Sequence, residues 1–374
     1  MMLNFFSKKT ISVGWVTHPG YYSRKVYLLD WFKPNMNARF KPVAEWINKN
    51  SKDFHNEIYN PNKKYNIVVF LKIMSDSAIS EAKKIQAYGG KVIFDANVNY
   101  YGIWGEFPIP GTKPTTEQQG QAIWMTENAD HVVADSTYIY DICKKYNEKV
   151  SWIPDNIDVH NQYTGDKIHL EKDKLILIWS GIAKKAYHFE LIEDCLYHFK
   201  DKIHLILVTR ETKNNRLPAV AFRMKKEFGC DIRPWDSSGN LSKSYHSDLL
   251  CADIIISPKI LNNSYAMGHT EYKIAQGMAQ RLPVIASNQQ SYIDAFNNRD
   301  IGFIAKTMDD WFTAFETMLS CSAQKRQEMG DLARECIVNN YSVEVISKRY
   351  LNVLAETLYN ESVTEERGLE CNHQ

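Results

Sequence analysis

Short runs of β-branched and aromatic residues alternate with stretches of helical periodicity along nearly the whole chain, and this alternation is what most restricts the fold. Strands separated by helices need crossover connections, and crossovers build parallel sheets covered by helices on both faces. In the first half the pattern predicts strands at Ile11–Val16, Asn66–Leu71, Lys91–Asp95, His131–Ala134 and Val150–Ile153. Helical patterns near Ala78–Tyr88, Gln118–Asn128 and Thr137–Tyr146 lie between them, the last with Ser136 placed to cap it. A polar stretch, Asp155–Lys174, breaks the pattern and reads as a linker. The second half restarts with Leu175–Ser180 and continues through Ile203–Thr209, Asp231–Arg233, Ile254–Ser257 and Pro283–Ala286. Its helices are expected near Phe189–Phe199, Ala219–Phe228, Leu241–Cys251, Glu271–Ala279 and Asp310–Leu319.

After Arg326 the chain reads as all helical, and Val343, Ile346, Tyr350, Val353, Leu354 and Leu358 form an apolar stripe. The expected organisation is α/β: a Rossmann-like domain over 1–160, a second over 170–340, a helix over 341–360 that packs back on the first domain, and a polar tail over 361–374. Doubly wound sheets bind ligands beyond the carboxyl ends of their strands, so the site is expected there, in a cleft between the two domains.

Composition narrows the function. The 374 residues are 44% hydrophobic and 24% charged, ordinary globular usage, and the formal charge is only +1. A general polyelectrolyte binder of nucleic acid needs a basic excess that this chain lacks. Seven dispersed cysteines without a Cys-x-x-Cys pair argue against a disulfide framework or zinc ribbon and suit a reducing, cytoplasmic setting. No apolar run approaches the ~20 residues of a membrane span. Gly-x-Gly-x-x-Gly, P-loop, His-Glu-x-x-His and Gly-x-Ser-x-Gly motifs are all missing, and so is an Asp-x-Asp triplet for a divalent metal. A diphosphate bound by this chain would have to be held by cations and backbone amides.

Four segments in order carry a resemblance. They are Glu127–Ser136 with Val150–Asp158, Leu175–Gly181, Cys251–Pro258, and Glu271–Ser287 (EYKIAQGMAQRLPVIAS). Together they resemble the retaining nucleotide-sugar glycosyltransferases of GT-B fold, the "group 1", family 4-like enzymes. The resemblance implies a nucleotide-sugar donor on the second domain, an acceptor on the first, and catalysis with retention, without a metal or other cofactor. It also implies a glycan, lipid-linked or surface-polymer acceptor, with polysaccharide biosynthesis as the setting.

The candidate donor residues follow from this frame. Gly268, His269, Thr270, Tyr272 and Lys273 open a helix whose free amides and dipole favour phosphate, with Thr270 placed as a cap; an ordinary capped helix is the alternative. Gly181, Lys184 and Lys185 follow the first strand of the second half, and either lysine can grip a diphosphate or lie solvated. Lys184 is also a catalytic candidate, because an ammonium stabilises charge on a leaving diphosphate. Arg210 ends the next strand, and Trp235 offers either a base-stacking platform or a packed aromatic. Gln276 stands where the family carries a ribose-binding glutamate, Gly268 where it carries the first glutamate of the pair, and Arg281 where it carries a glycine.

In the first half, Asp95 is the catalytic candidate, as a base or an orienting group for an acceptor hydroxyl, or else a loop-capping carboxylate. Gly20, Arg24 and Asn97 are the acceptor-binding candidates. Residues 1–65 hold eleven Lys plus Arg against four Asp plus Glu, interleaved with aromatics, which suits either contact with the inner membrane face or a soluble basic surface. The departures at Gln276 and Gly268 leave open a non-catalytic partner of another glycosyltransferase, and the two-domain architecture leaves open a sugar-nucleotide epimerase of the same fold.

Overall fold

The computed structural model describes residues 10–18, 39–164, 166–235 and 241–359. The candidates Gly20 and Arg24, part of the basic N-terminal stretch and the tail lie outside the described residues. The chain divides into two compact units. One holds 1–101, 114–154 and 343–374; the other holds 102–113 and 155–342.

The first unit is built on six parallel strands: β1 (Ile11–Val16), β2 (Phe54–Ile58), β3 (Ile67–Leu71), β4 (Lys91–Ala96), β5 (His131–Ala134) and β6 (Val150–Trp152). Their order is β2-β1-β3-β4-β5-β6. The central strand β3 is an unbroken apolar run, IVVFL, buried at every position because helices cover both faces. The helix Thr116–Asn128 begins with a capping box between Thr115 and Gln118. Ser136 accepts a bond from the amide of Ile139 at 3.3 Å, the expected cap of the helix Thr137–Cys143. One face of the sheet packs on the helix Lys41–Asn50 and on the apolar stripe of the helix Val343–Tyr359, whose Ile346, Tyr350, Val353 and Leu354 join Trp15, Phe40 and Ile47 in one core.

The second unit holds β7 (Leu175–Ser180), β8 (Ile203–Thr209), β9 (Asp231–Pro234), β10 (Ile254–Ser257), β11 (Val284–Ser287) and β12 (Gly302–Ala305). All are parallel, in the order β9-β8-β7-β10-β11-β12. Successive strands step outward from β7 in one direction and from β10 in the other, so the order reverses between these two neighbours. Apolar cores lie on both faces.

Two strands, β2 and β12, escape the sequence pattern; both sit at a sheet edge. The stretch Asp155–Lys174 is more than a linker. Tyr163, Lys167 and His169 are buried on the second unit, Lys167 Nζ donating to the Leu250 carbonyl at 2.8 Å and Lys172 Nζ to Asp253 at 2.8 Å.

Candidate functional site

A doubly wound sheet leaves a crevice where its strand order reverses, at the carboxyl ends of the two diverging strands. In the second unit these are the ends of β7 and β10, and the chain fills that crevice with cations. Strand β7 runs into Gly181. A Cβ built there would lie 2.8 Å from both Lys273 Nζ and the Trp179 ring. Glycine therefore leaves the room in which the Lys273 ammonium rests 4.7 Å from the centre of the Trp179 ring. The 3-10 segment Ala183–Leu191 then delivers Lys185 and His188. Strand β10 ends at Ser257, and Lys259 follows two residues on, its amide donating to Ser287 Oγ at 2.7 Å. The Lys259 ammonium is buried, donates to Gln289 Oε1 and lies 4.7 Å from the centre of the Tyr292 ring.

Part of this crevice is a recess of about 300 Å³, its open mouth included, lined by Lys185, His188, Lys259, Tyr265 and His269 among others. Lys185 Nζ donates to His269 Nε2 at 3.1 Å, and the amide of Ile260 donates to His188 Nδ1 at 3.1 Å. Both imidazoles thus accept, and both are held neutral. Burial, then the neighbouring lysines, drive His188 down to about 2 and His269 well below its ordinary value. The lysines also destabilise one another. Burial, then Lys273 and Lys185, pull Lys259 well below the usual ammonium range, with Glu271 pulling the other way. Burial and then Lys185 bring Lys273 down to about 7. Three ammonium groups in mutual electrostatic reach, two of them desolvated, form a site that an anion would relax.

The other candidates are placed less centrally. Lys184 does not line the recess; its amide donates to Asn215 Oδ1 at 3.0 Å, and the neighbouring Lys185 is the one that reaches inward. Arg210 follows the end of β8 and is exposed. Trp235, just beyond β9, packs on Tyr245 with tilted rings 4.7 Å apart between centroids, and the Tyr245 and Ser180 hydroxyls share a hydrogen bond at 2.8 Å. Gln276 is buried and donates its amide to Tyr163 Oη at 2.8 Å.

Thr270 does not cap the helix Tyr272–Ala279: Glu271 occupies the N-cap, and the Thr270 hydroxyl donates to Asp155 Oδ2 at 2.9 Å. Tyr272 packs against the core, and Gly268 closes the short helix Ser264–Met267 with φ −86°, a conformation open to any residue. Lys259 and His188 were not among the sequence candidates. Lys259 carries one usable signal, its place immediately after the strand end Ser257-Pro258.

In the first unit Asp95 is completely buried on β4. Arg39 Nε donates to both of its oxygens at 2.9 Å, Tyr350 Oη donates to Oδ2, and Arg39 Nη2 donates to the Ile153 carbonyl at 2.8 Å. The carboxylate locks the C-terminal helix to the sheet and faces no solvent, an arrangement that suits neither a base nor a loop cap. Asn97 lies just past the end of β4, and its Oδ1 is buried with no hydrogen-bond partner among the described residues. Among those residues, no three His, Cys, Asp or Glu side chains are grouped to hold a metal, and no helix is long and apolar enough to cross a membrane.

No family profile and no curated protein sequence matches the chain. Solved structures do. Anabaena HepE, in a complex with UDP, superposes with a TM-score of 0.62 at 11% identity over 93% of this chain and 100% of its own. A glycosyltransferase from Rickettsia africae gives 0.58 at 15% identity, over 94% and 100%. TarM, also solved from S. aureus, gives 0.56 at 13% identity over 83% of this chain, which spans only 57% of the TarM chain. At these identities the likeness is one of fold, and it agrees with the two six-stranded parallel sheets: the chain has the GT-B fold, with two Rossmann-like domains.

Proposed function

We propose that the chain is a glycosyltransferase that moves a sugar from a nucleotide-diphosphate donor to a glycan, lipid-linked or surface-polymer acceptor, with retention of configuration. The observation that carries this reading is the cluster of three lysines at the β7/β10 switch point, of which Lys185 and Lys259 line the recess and Lys273 lies within their electrostatic reach. As the bond from the anomeric carbon to the phosphate oxygen breaks, its electron pair stays on the leaving diphosphate. Lys185 and Lys273 would meet that charge with ammonium groups already in place, the role otherwise taken by a divalent metal. Across the sheet edge the order β9, β8, β7, β10 sets Trp235, Gly181 and Lys259 in sequence. This order suits a base near Trp235, the diphosphate over Gly181 and the sugar toward Lys259. In the first domain, the unpartnered Asn97 Oδ1 supports a polar acceptor contact.

Calorimetric titration with UDP, GDP and ADP tests the reading. One of them should bind and raise the thermal midpoint by mass action. A folded protein that binds none overturns the transferase and favours the non-catalytic partner, a reading supported by Gln276 being committed to Tyr163 where a ribose-binding carboxylate is expected.

The lysines also give the affinity a sign with pH. A nucleotide sugar has no ionisation between pH 6 and 9, and it binds the ammonium form. Because Lys273 in the free protein titrates near 7, affinity should be flat below about pH 6 and fall above 7 by up to about tenfold per unit. Lys273→Arg, whose guanidinium stays charged, should flatten the curve.

A further inference from the structure

The recess has a second wall that the lysines do not build. Residues 102–113 follow β4 of the first sheet, yet they belong to the second unit. Their anchor is a short antiparallel contact. The Ser264 amide donates to the Trp104 carbonyl at 3.1 Å, the Glu106 amide to the Asn262 carbonyl at 3.4 Å, and Gly105 bridges Asn263. Asn263 is buried, donates its side-chain amide to the Glu106 carbonyl at 2.6 Å and accepts from the Ala266 amide at 2.8 Å, so one side chain ties the strap to the turn after β10. Gly105 is required: its φ is +87°, and a Cβ there would fall 2.0 Å from the Asn262 carbonyl oxygen.

Beyond this anchor the strap turns back, with the Thr112 hydroxyl donating to the Ile109 carbonyl at 2.7 Å, and Pro108, Ile109 and Thr112 line the same recess as Lys185, His188 and Lys259. That wall is neutral. Its side chains bring no charge to a diphosphate, and they share the recess with Lys259, which follows β10, whereas Trp235 follows β9 at the edge of the sheet. A group carried by the diphosphate would lie against it.

Resting on the donor-site reading above, we propose that the strap, through Pro108, Ile109 and Thr112, is the wall that selects the sugar of the donor and takes no part in holding the diphosphate. The chain thus draws its charge recognition from the second sheet and its sugar discrimination from a segment inserted after β4.

The test compares UDP with UDP-glucose and UDP-N-acetylglucosamine, and GDP with GDP-mannose, by calorimetry on the full chain. Gly105→Val should displace the strap; Ile109→Trp, at a half-exposed position, should enlarge the strap's own side chain in the recess without burdening the fold. Each variant is expected to bind the bare diphosphate within about twofold of wild type while its affinity for the matching nucleotide sugar changes by tenfold or more. Equal weakening of both ligands, or no change in either, would overturn the assignment of the strap while leaving the donor site standing. Wild-type protein that binds neither UDP nor GDP would overturn the donor site itself, and this proposal with it.

Discussion

Lys273→Met is expected to make the free protein more stable and the nucleotide complex much weaker. In the folded chain the Lys273 ammonium has lost water and is repelled by Lys185, so its proton is held at about pH 7. The unfolded chain, with an ordinary lysine, binds that proton up to about pH 10.4. Between these values the unfolded state holds more protons, so the folded state carries a penalty at neutral pH on the order of a few kcal/mol, relieved as pH rises. Methionine keeps an apolar stem against the Trp179 ring and removes the charge. The thermal midpoint at pH 7 should rise by about 5 °C or more, by the usual conversion for a domain of this size. The same change strips the lysine cluster beside Gly181 of one of its ammonium groups and should weaken nucleoside diphosphate binding by about thirtyfold or more. Scanning calorimetry and titration on one preparation read both effects. A lowered midpoint with affinity intact would mean that Lys273 is a structural cation and that the anion site lies elsewhere.

Much of this site is legible in the residues, and what is not has local causes. The strands around the switch point are unbroken apolar runs, LILIWS and IIIS, and such runs are read directly as buried parallel strands. Gly181, Lys185, His269 and Lys273 follow because they sit at the ends of those runs or at the opening of the next helix. The choice between Lys184 and Lys185 does not follow, because the turn after β7 is a 3-10 segment whose register decides which lysine points inward. Lys259 and His188 belong to no motif; only the fold brings them together.

The edge strands escape for a different reason. β2 is FHNEI, polar at its centre and exposed at His55, and β12 opens on Gly302, whose φ of +137° no strand propensity anticipates. The departure at Arg281 is instructive in the opposite sense. Its φ is +60°, so the backbone keeps the left-handed conformation that a glycine adopts freely, although the side chain is now an arginine paired with Asp331. Its carbonyl is fixed by His169 Nε2 at 2.9 Å. An arginine thus occupies a left-handed turn that suits glycine, which is why a missing glycine does not by itself argue against the fold.

Asp95→Asn should separate the structural reading of that carboxylate from the catalytic one, and its effect should be large. A base that meets an acceptor hydroxyl must be reachable, so its amide variant would keep the melting temperature and lose turnover. The geometry predicts the reverse. Arg39 is 3% exposed and its counter-charge, Asp95, is 0% exposed, so the variant leaves a guanidinium buried without a full partner. Breaking a buried pair from one side costs about 3–5 kcal/mol. The thermal midpoint of the first domain should therefore drop by about 10 °C, with the C-terminal helix loosened from β4 through Tyr350.

The double variant Arg39→Met with Asp95→Leu removes both charges at once and should recover most of that loss, since an apolar pair of similar volume is often as stable as a buried ion pair. Tyr350→Phe, which deletes one hydroxyl and leaves the ion pair, should cost less, about 1.5–3 kcal/mol. A midpoint unchanged in Asp95→Asn, read by calorimetry alongside nucleotide binding to the other domain, would return Asp95 to the list of reacting groups. A fall that the double variant reverses would fix it as the clamp that holds the last helix to the first sheet.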